Sequence, residues 1–275
     1  LTVGSSKLAR WLKLMAVARV ERRISPSLCF HHKTNRVNFI LDHTCRNLRT
    51  FTIGFDTIHI DEAWFYPIRE KERVRRFPGE EKVGSIKVQH KSHIPKVMCI
   101  CAVSCPNPEH DFDGKIGIWR VCIVREAQRT TARRARGGTY EVDITIDAEW
   151  YRELYVNDLL PDAKKKGTPK VLNSTGTGGG WSEKLETQPV QSPDLNINDL
   201  GFFVSLKSRV WGEGYGRVDD LVDGVKSMYD AYDVDTLERV WHSLFKRYNQ
   251  ILRAMGGNDF EVEHTGTKPG SGKRG

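Results

Sequence analysis

Apolar residues along the chain follow two periods, that of an amphipathic helix at both ends and that of buried strands between. Near the start, Leu8, Leu12 and Met15 recur at helical spacing behind Ser5 or Ser6, either of which can cap a first turn. Lys7, Arg10 and Lys13 fall three apart on another face. After Pro26, residues 33–41 predict a second helix leading to a connector. From Phe55 the period changes. The run Thr57-Ile58-His59-Ile60 reads as a strand that ends at Asp61-Glu62, and residues 97–104 and 115–124 predict two more. The charge-rich stretch 69–76 and a loop at 106–114 separate them. Residues 148–166 predict a helix with Trp150, Leu154 and Leu159 inward. Leu237, Val240, Leu244, Tyr248, Ile251 and Met255 mark a long amphipathic helix stopped by Gly256-Gly257. Strands first and helices later make an α/β or α+β body, and the tail from Thr265 is expected to be disordered.

Composition narrows the classes. A chain of 275 residues with 39% hydrophobic residues and seven Trp can fill a core, so wholesale disorder is excluded. Its length suits one large domain, or one with a small attachment. The longest apolar runs, such as Val97 to Val103, fall far short of the roughly 20 residues of a membrane-spanning helix, and no membrane partner is expected. The net charge of +8 is unevenly spread: residues 1–60 hold ten Lys and Arg against three acids. A basic module on a near-neutral body points to a polyanion such as DNA, or to a soluble basic face. A second basic segment at 128–138, with Arg129, Arg133, Arg134 and Arg136, reads equally as a phosphate contact or a solvated hairpin tip. With no secretory signal evident, the six Cys are expected to be reduced intracellular thiols. Cys99, Cys101 and Cys105 invite a zinc assignment, but they lack a C-x-x-C pair and fall on or beside a buried strand.

The chemistry concentrates on two acids. Asp61 emerges at the end of an apolar strand, and Asp199 follows the loop Ser192-Pro193-Asp194-Leu195-Asn196 at a helix start. Carboxylates that converge from separate elements are what Mg²⁺ needs, since it takes hard oxygen ligands and keeps places for water and phosphate. A pair of such ions can activate an attacking hydroxyl and stabilise the leaving oxygen in phosphodiester transfer. Each Asp taken alone also suits a turn or cap.

The strings HIDEAWFY (59–66), KVMCICAV (96–103), FDGKIGIW (112–119), QPVQSPDLNINDLGFF (188–203) and GGNDF (256–260) resemble, in order, the mariner-type (Tc/mariner superfamily) transposases. The resemblance implies a ribonuclease H-like α/β catalytic domain, a mixed sheet with flanking helices, over residues 51–262. It implies a partial helix-turn-helix DNA-binding region and linker over 1–50, with Ser5 to Lys13 similar to a recognition helix and Lys7, Arg10 and Lys13 toward DNA. The chain starts without Met inside this unit, so an amino-terminal part is expected to be absent. Residues 263–275 would be a tail. By the same resemblance Asp61 is the first catalytic, metal-binding Asp and Asp199 the third. Mg²⁺ or Mn²⁺ is the cofactor, double-stranded DNA of terminal inverted repeats the partner, a homodimer the assembly and the nucleus the compartment.

The departures are as informative. The family's strand with the second Asp is absent, as if a block were deleted near 162–172, and no Asp occurs between Asp162 and Asp194. Asp162 has a family-like spacing to Asp199 but follows Pro161 at a helix end, a poor context for a substitute ligand. Ala63 stands where the family usually has Lys. Loss of the strand would unpair the sheet beside Asp61 unless another, such as 184–188, moves in. The leading expectation is a transposase-like protein with impaired catalysis. The alternatives are a transposase-derived DNA-binding protein without catalysis, and a metal nuclease completed by Asp162 or Asp158.

Overall fold

Val97–Val103 is apolar at every position because both faces of the strand it forms are covered. In the computed structural model, which describes residues 25–45, 50–51, 54, 57–67, 96–131, 135–166, 186–211, 215 and 217–260, this strand (β4) is the middle of a three-stranded sheet. Its neighbours are β3 (His59–Phe65) and β5 (Lys115–Arg120), both antiparallel to it. Asp61 pairs with Cys101, which pairs in turn with Ile118. Two small antiparallel pairs complete the strands: β1 (Thr44–Cys45) with β2 (Thr50–Phe51), and β6 (Cys122–Glu126) with β7 (Thr139–Asp143).

Side-chain alternation along β4 assigns the two layers. Val97, Cys99, Cys101 and Val103 face the main core with Ala63 and Phe65 of β3, against α4 (Phe203–Val210), α5 (Val218–Asp230) and α6 (Val234–Arg253). Ile100 and Ala102 face the opposite layer, a helical segment made of α2 (Ala148–Leu154), a wide turn of π-helix (Tyr155–Leu159) and α3 (Leu160–Lys165). Pro161 lacks the N–H that an α-helix would direct to residue 157, and the wide turn just before it absorbs that defect without ending the rod. The helix α1 (Phe30–Asp42) precedes the sheet and packs on α6.

The expected strands at 97–104 and near 57–61 are present, as are the helices at 33–41 and 148–166, though several details differ. Asp61 does not end its strand, because β3 runs on to Phe65 and buries Ala63 and Phe65 in the core. The stretch 115–124 is two strands, broken at fully buried Val121, whose N–H donates to the Met98 carbonyl at 2.8 Å. Beyond it the chain leaves the sheet to pair with β7. Met255 is 78% exposed with φ 50°, outside the apolar stripe, because α6 ends at Arg253 and the next residues turn. All strand pairings among the described residues are antiparallel, and residues 186–188 carry no strand beside β3. Two carbonyls at the start of β3 instead accept side-chain amides: Asn198 Nδ2 donates to His59 O at 3.1 Å and Asn196 Nδ2 to Ile60 O at 3.3 Å.

Ile100 is fully buried in the central strand, so Ile100→Ala should destabilise by about 2–5 kcal/mol in urea unfolding, through lost transfer energy and the cavity left. Val204, 68% exposed on α4, should tolerate Ala within about 0.5 kcal/mol. Equal effects at the two sites would contradict this layer assignment.

Candidate functional site: an acid pair between strand and loop

Strand alternation turns Asp61 to the same side as Ala63 and Phe65, toward the layer of α4 to α6. There it meets Asp199, carried by a π-helical turn (Asn198–Phe202) that leads into α4. The two carboxylates share a side-chain hydrogen bond. Burial, and then the charge of Asp199, push Asp61 up from 3.8 to about 7, while the N–H of Glu62, donated to Asp61 Oδ1 at 2.9 Å, pulls the other way. Asp199 is also raised by burial, offset by the bond from Asp61 and by the ammonium of Lys207. Burial and the neighbouring acid thus favour the protonated form of Asp61 more than in free solution, and burial does the same at Asp199. Lys207 lies on α4 over the rings of Phe65 and Phe203, at 5.8 and 5.5 Å, and its charge is favoured by both acids against its own burial.

The loop that delivers Asp199 is fixed from behind. Arg36 of α1 is 1% exposed, yet its guanidinium is fully engaged: Nη1 and Nη2 donate to the two oxygens of Asp194 at 2.7 and 2.8 Å, and Nε donates to the Gly256 carbonyl at 2.9 Å. Gly256 has φ 83°, and a Cβ there would collide with the Lys33 carbonyl of the same helix, so the turn after α6 requires glycine. Further along, the Asn196 side chain accepts the N–H of Asn198 at 3.0 Å, and the Ile197 N–H reaches Nδ1 of His59 at 3.4 Å. His59 stacks edge-on against Trp241 and is held down to about 4 by burial first and by neighbouring His43 second, so its ring is neutral and free to accept. Arg36, Asp194, Asn196, Asn198 and His59 thus form the support of Asp199. In the sequence Asp194, Asn196 and Asn198 stood out only as parts of the string 188–203 and His59 only as part of its strand, with no supporting role read for any of them.

Asp162 does not join the pair. It sits on α3, whose Ala163 packs on Ala102 and Ile116, on the face of the sheet away from Asp61. Asp158 lines an open cleft beside Trp119 and Arg120 on that same side. Among the described residues no group of three or more His, Cys, Asp and Glu gathers to hold a metal. Burial pushes the thiols of Cys99 and Cys105 up to about 12 and that of Cys101 well above its usual value, so all three are protonated. Lys7, Arg10 and Lys13 lie outside the described residues. No described helix is long and apolar enough to cross a membrane.

An antiparallel three-stranded sheet, flanked by helices on both faces, brings an acid from its first strand to an acid from a later loop. The solved structures it resembles are those of the Mos1 mariner transposase. The Mos1 paired-end complex with Mn superposes with TM-score 0.62 at 16% identity, covering 94% of this chain and 72% of that one. The paired-end complex with Mg gives TM-score 0.63 at 16% identity with the same coverage. The isolated Mos1 catalytic domain gives 0.55 at 14% identity, covering 87% of this chain and 100% of that domain. At such identities the likeness is one of fold. No protein-family model matches the chain, and no curated protein does.

The acid pair carries a signed pH dependence. An acid whose folded pKa is raised binds its proton more tightly in the folded state, so its contribution to stability falls as pH rises from about 3.8 to about 7. Asp61→Asn should therefore be more stable than the parent at pH 8, and this advantage should shrink towards pH 4. His59 acts in the opposite sense, losing stability as pH falls from 6.5 toward 4, and it cancels in that difference. A pH-independent difference would mean that the carboxylates do not interact.

Arg36→Met leaves Asp194 without its cation and should cost about 3 kcal/mol in urea unfolding. Arg36→Lys should recover less than half of this, because an ammonium cannot bind both oxygens and the Gly256 carbonyl together. Full recovery by Lys would show that charge alone is needed.

Proposed function

We propose that this protein is a mariner-type transposase-like protein that binds DNA and holds a divalent cation at Asp61 and Asp199, but does not complete the cutting and rejoining of DNA ends. The observation that carries the reading is the meeting of these two acids, one from the DE-x-W strand and one from the SPDLN loop, in a fold like that of Mos1. The donor set suits the cofactor: two hard oxygen groups, partly withdrawn from water, whose mutual repulsion a divalent cation would relieve better than a shared proton does. Mos1 structures include complexes with Mn and with Mg. When bound, such an ion supplies Lewis-acid stabilisation of charge on phosphate oxygens.

The chain's own part is limited by what surrounds the pair. Asp61 and Asp199 would hold the ion through their carboxylate oxygens, and Lys207 supplies a positive charge on the α4 side. No Asp occurs between Asp162 and Asp194, and Asp162 is on the far layer, so among the described residues no third Asp joins the pair to help hold a second ion. DNA recognition falls to the basic region 1–50, read as part of a helix-turn-helix unit with Lys7, Arg10 and Lys13 toward the duplex. The catalytic-type body spans 51–262 and a tail follows at 263–275. Terminal inverted repeats are the proposed target, in keeping with the paired-end complexes of Mos1; a homodimer is the proposed assembly and the nucleus the proposed compartment. A second reading, DNA binding with no metal role, is favoured by Lys207, which already offsets much of the pair's charge.

Two measurements separate these readings. Mn²⁺ at pH 8 should raise the thermal midpoint of the parent protein and leave Asp61→Asn unmoved; an equal response would remove the metal site. Labelled inverted-repeat duplex should remain intact with the parent in Mg²⁺ or Mn²⁺. Nicking that disappears in Asp61→Ala would overturn the claim of lost catalysis.

A further inference from the structure

The hairpin of β6 and β7 stands outside the three-stranded sheet, and its two ends differ in charge. At its root the charges are matched: Arg120 binds Glu141 at 2.6 Å and Asp143 at 2.9 Å, and Trp150 Nε1 of α2 donates to the Cys122 carbonyl at 3.3 Å. The tip is a continuation of the ladder. Ala127 N–H donates to Gly138 O and Gly137 N–H to Ala127 O, both at 2.9 Å, and Arg136 N–H donates to Thr130 Oγ1 at 3.1 Å. Gly137, with φ 83°, makes the turn back. Arg125, Arg129 and Arg136 are all exposed on this end, and their guanidinium groups have no ion-pair or hydrogen-bond partner among the described residues. Arg36 and Arg120 show the contrary case, each spent on internal carboxylates.

We infer that this tip is a phosphate-gripping arm, in which Arg125, Arg129 and Arg136 hold the backbone of duplex DNA. The inference rests on the DNA-binding reading above and names a surface of the body that shares the work of the basic amino-terminal region. Three points select the partner. Guanidinium groups match phosphate oxygens with paired donors. A two-stranded ribbon is narrow enough to follow a duplex groove. Among the described residues of the tip, Gln128, Thr130 and Thr131 lie between the arginines and Gly137 and Gly138 follow them, and none forms an apolar wedge for a membrane.

The test uses the full chain and duplex DNA, with affinity measured by fluorescence anisotropy from low to moderate salt. Three proteins are compared: the parent, a hairpin variant (Arg125→Gln, Arg129→Gln, Arg136→Gln) and an amino-terminal variant (Lys7→Gln, Arg10→Gln, Lys13→Gln). Each lost phosphate contact lowers the log–log salt slope by up to about 0.9, so the hairpin variant should lose up to about 2.7 slope units and bind more weakly at every salt concentration. Its thermal midpoint should equal the parent's, which separates lost contact from misfolding. If the parent binds duplex and the hairpin variant keeps the parental slope, the arm is wrong and the DNA-binding reading survives. If the parent shows no salt-dependent duplex binding, both fall together. A hairpin-dependent loss confined to duplex RNA or to vesicles containing phosphatidylserine would also overturn the arm, by assigning the arginines to another partner.

Discussion

The guanidinium of Arg36 ties together three stretches that are far apart in sequence, and the position of the acid pair depends on it. It comes from the first described helix, clasps Asp194 in the loop before Asp199 and takes the carbonyl of Gly256 just past the last helix. A buried guanidinium tolerates no empty donor, because removing it from water costs several kcal/mol that only close partners return. The constraint therefore runs both ways: the loop cannot shift without leaving the cation unpaired, and the cation cannot leave without freeing the loop. Asn258, which donates to the Pro26 carbonyl at 2.8 Å, closes the same join between the two ends of the described body.

A loop so fixed holds two carboxylates closer than they would settle in water. Like charges about 4 Å apart repel by about 4 kcal/mol at the effective dielectric of a protein surface. Relief comes from a proton, from a fixed cation or from a bound one. The raised affinity of Asp61 for a proton serves the first and Lys207 the second. The strain-like electrostatic load on Asp61 is thus a consequence of architecture, set by β3 on one side and the Arg36-anchored loop on the other.

The edge of the sheet beside Asp61 shows how side chains can stand in for backbone. Asn196 and Asn198 give their amides to the carbonyls of Ile60 and His59, and neutral His59 receives the Ile197 N–H. Bonds of this kind do for these carbonyls what a strand partner does, since an unpaired buried carbonyl costs about 1–3 kcal/mol. They also couple the register of β3 to the conformation of the loop, so that the acid-bearing elements are positioned by one another and not only by the core beneath them.

Local pattern was enough to reveal the buried central strand, the helix of residues 148–166 and the long last helix, because each buries a continuous run or a regular stripe whose period is written in the residues themselves. Asp61 and Asp199 were legible too, through the strings around them. The helix at Val218–Asp230 and the strand Thr139–Asp143 were not, since their apolar content is modest and becomes decisive only against partners brought up by the fold. Nor could sequence show that Arg36 is a buried anchor: an arginine on a polar-looking helix reads as surface until residues 158 and 220 positions away close around it. The same holds for Asp162, whose spacing to Asp199 resembled that of a ligand. Distance along the chain says nothing about which face of a sheet a helix covers, and α3 lies on the face opposite the acid pair. Periodicity is a property of neighbours in the chain and decides elements; the electrostatics of a site is a property of neighbours in space and is decided only when the layers close.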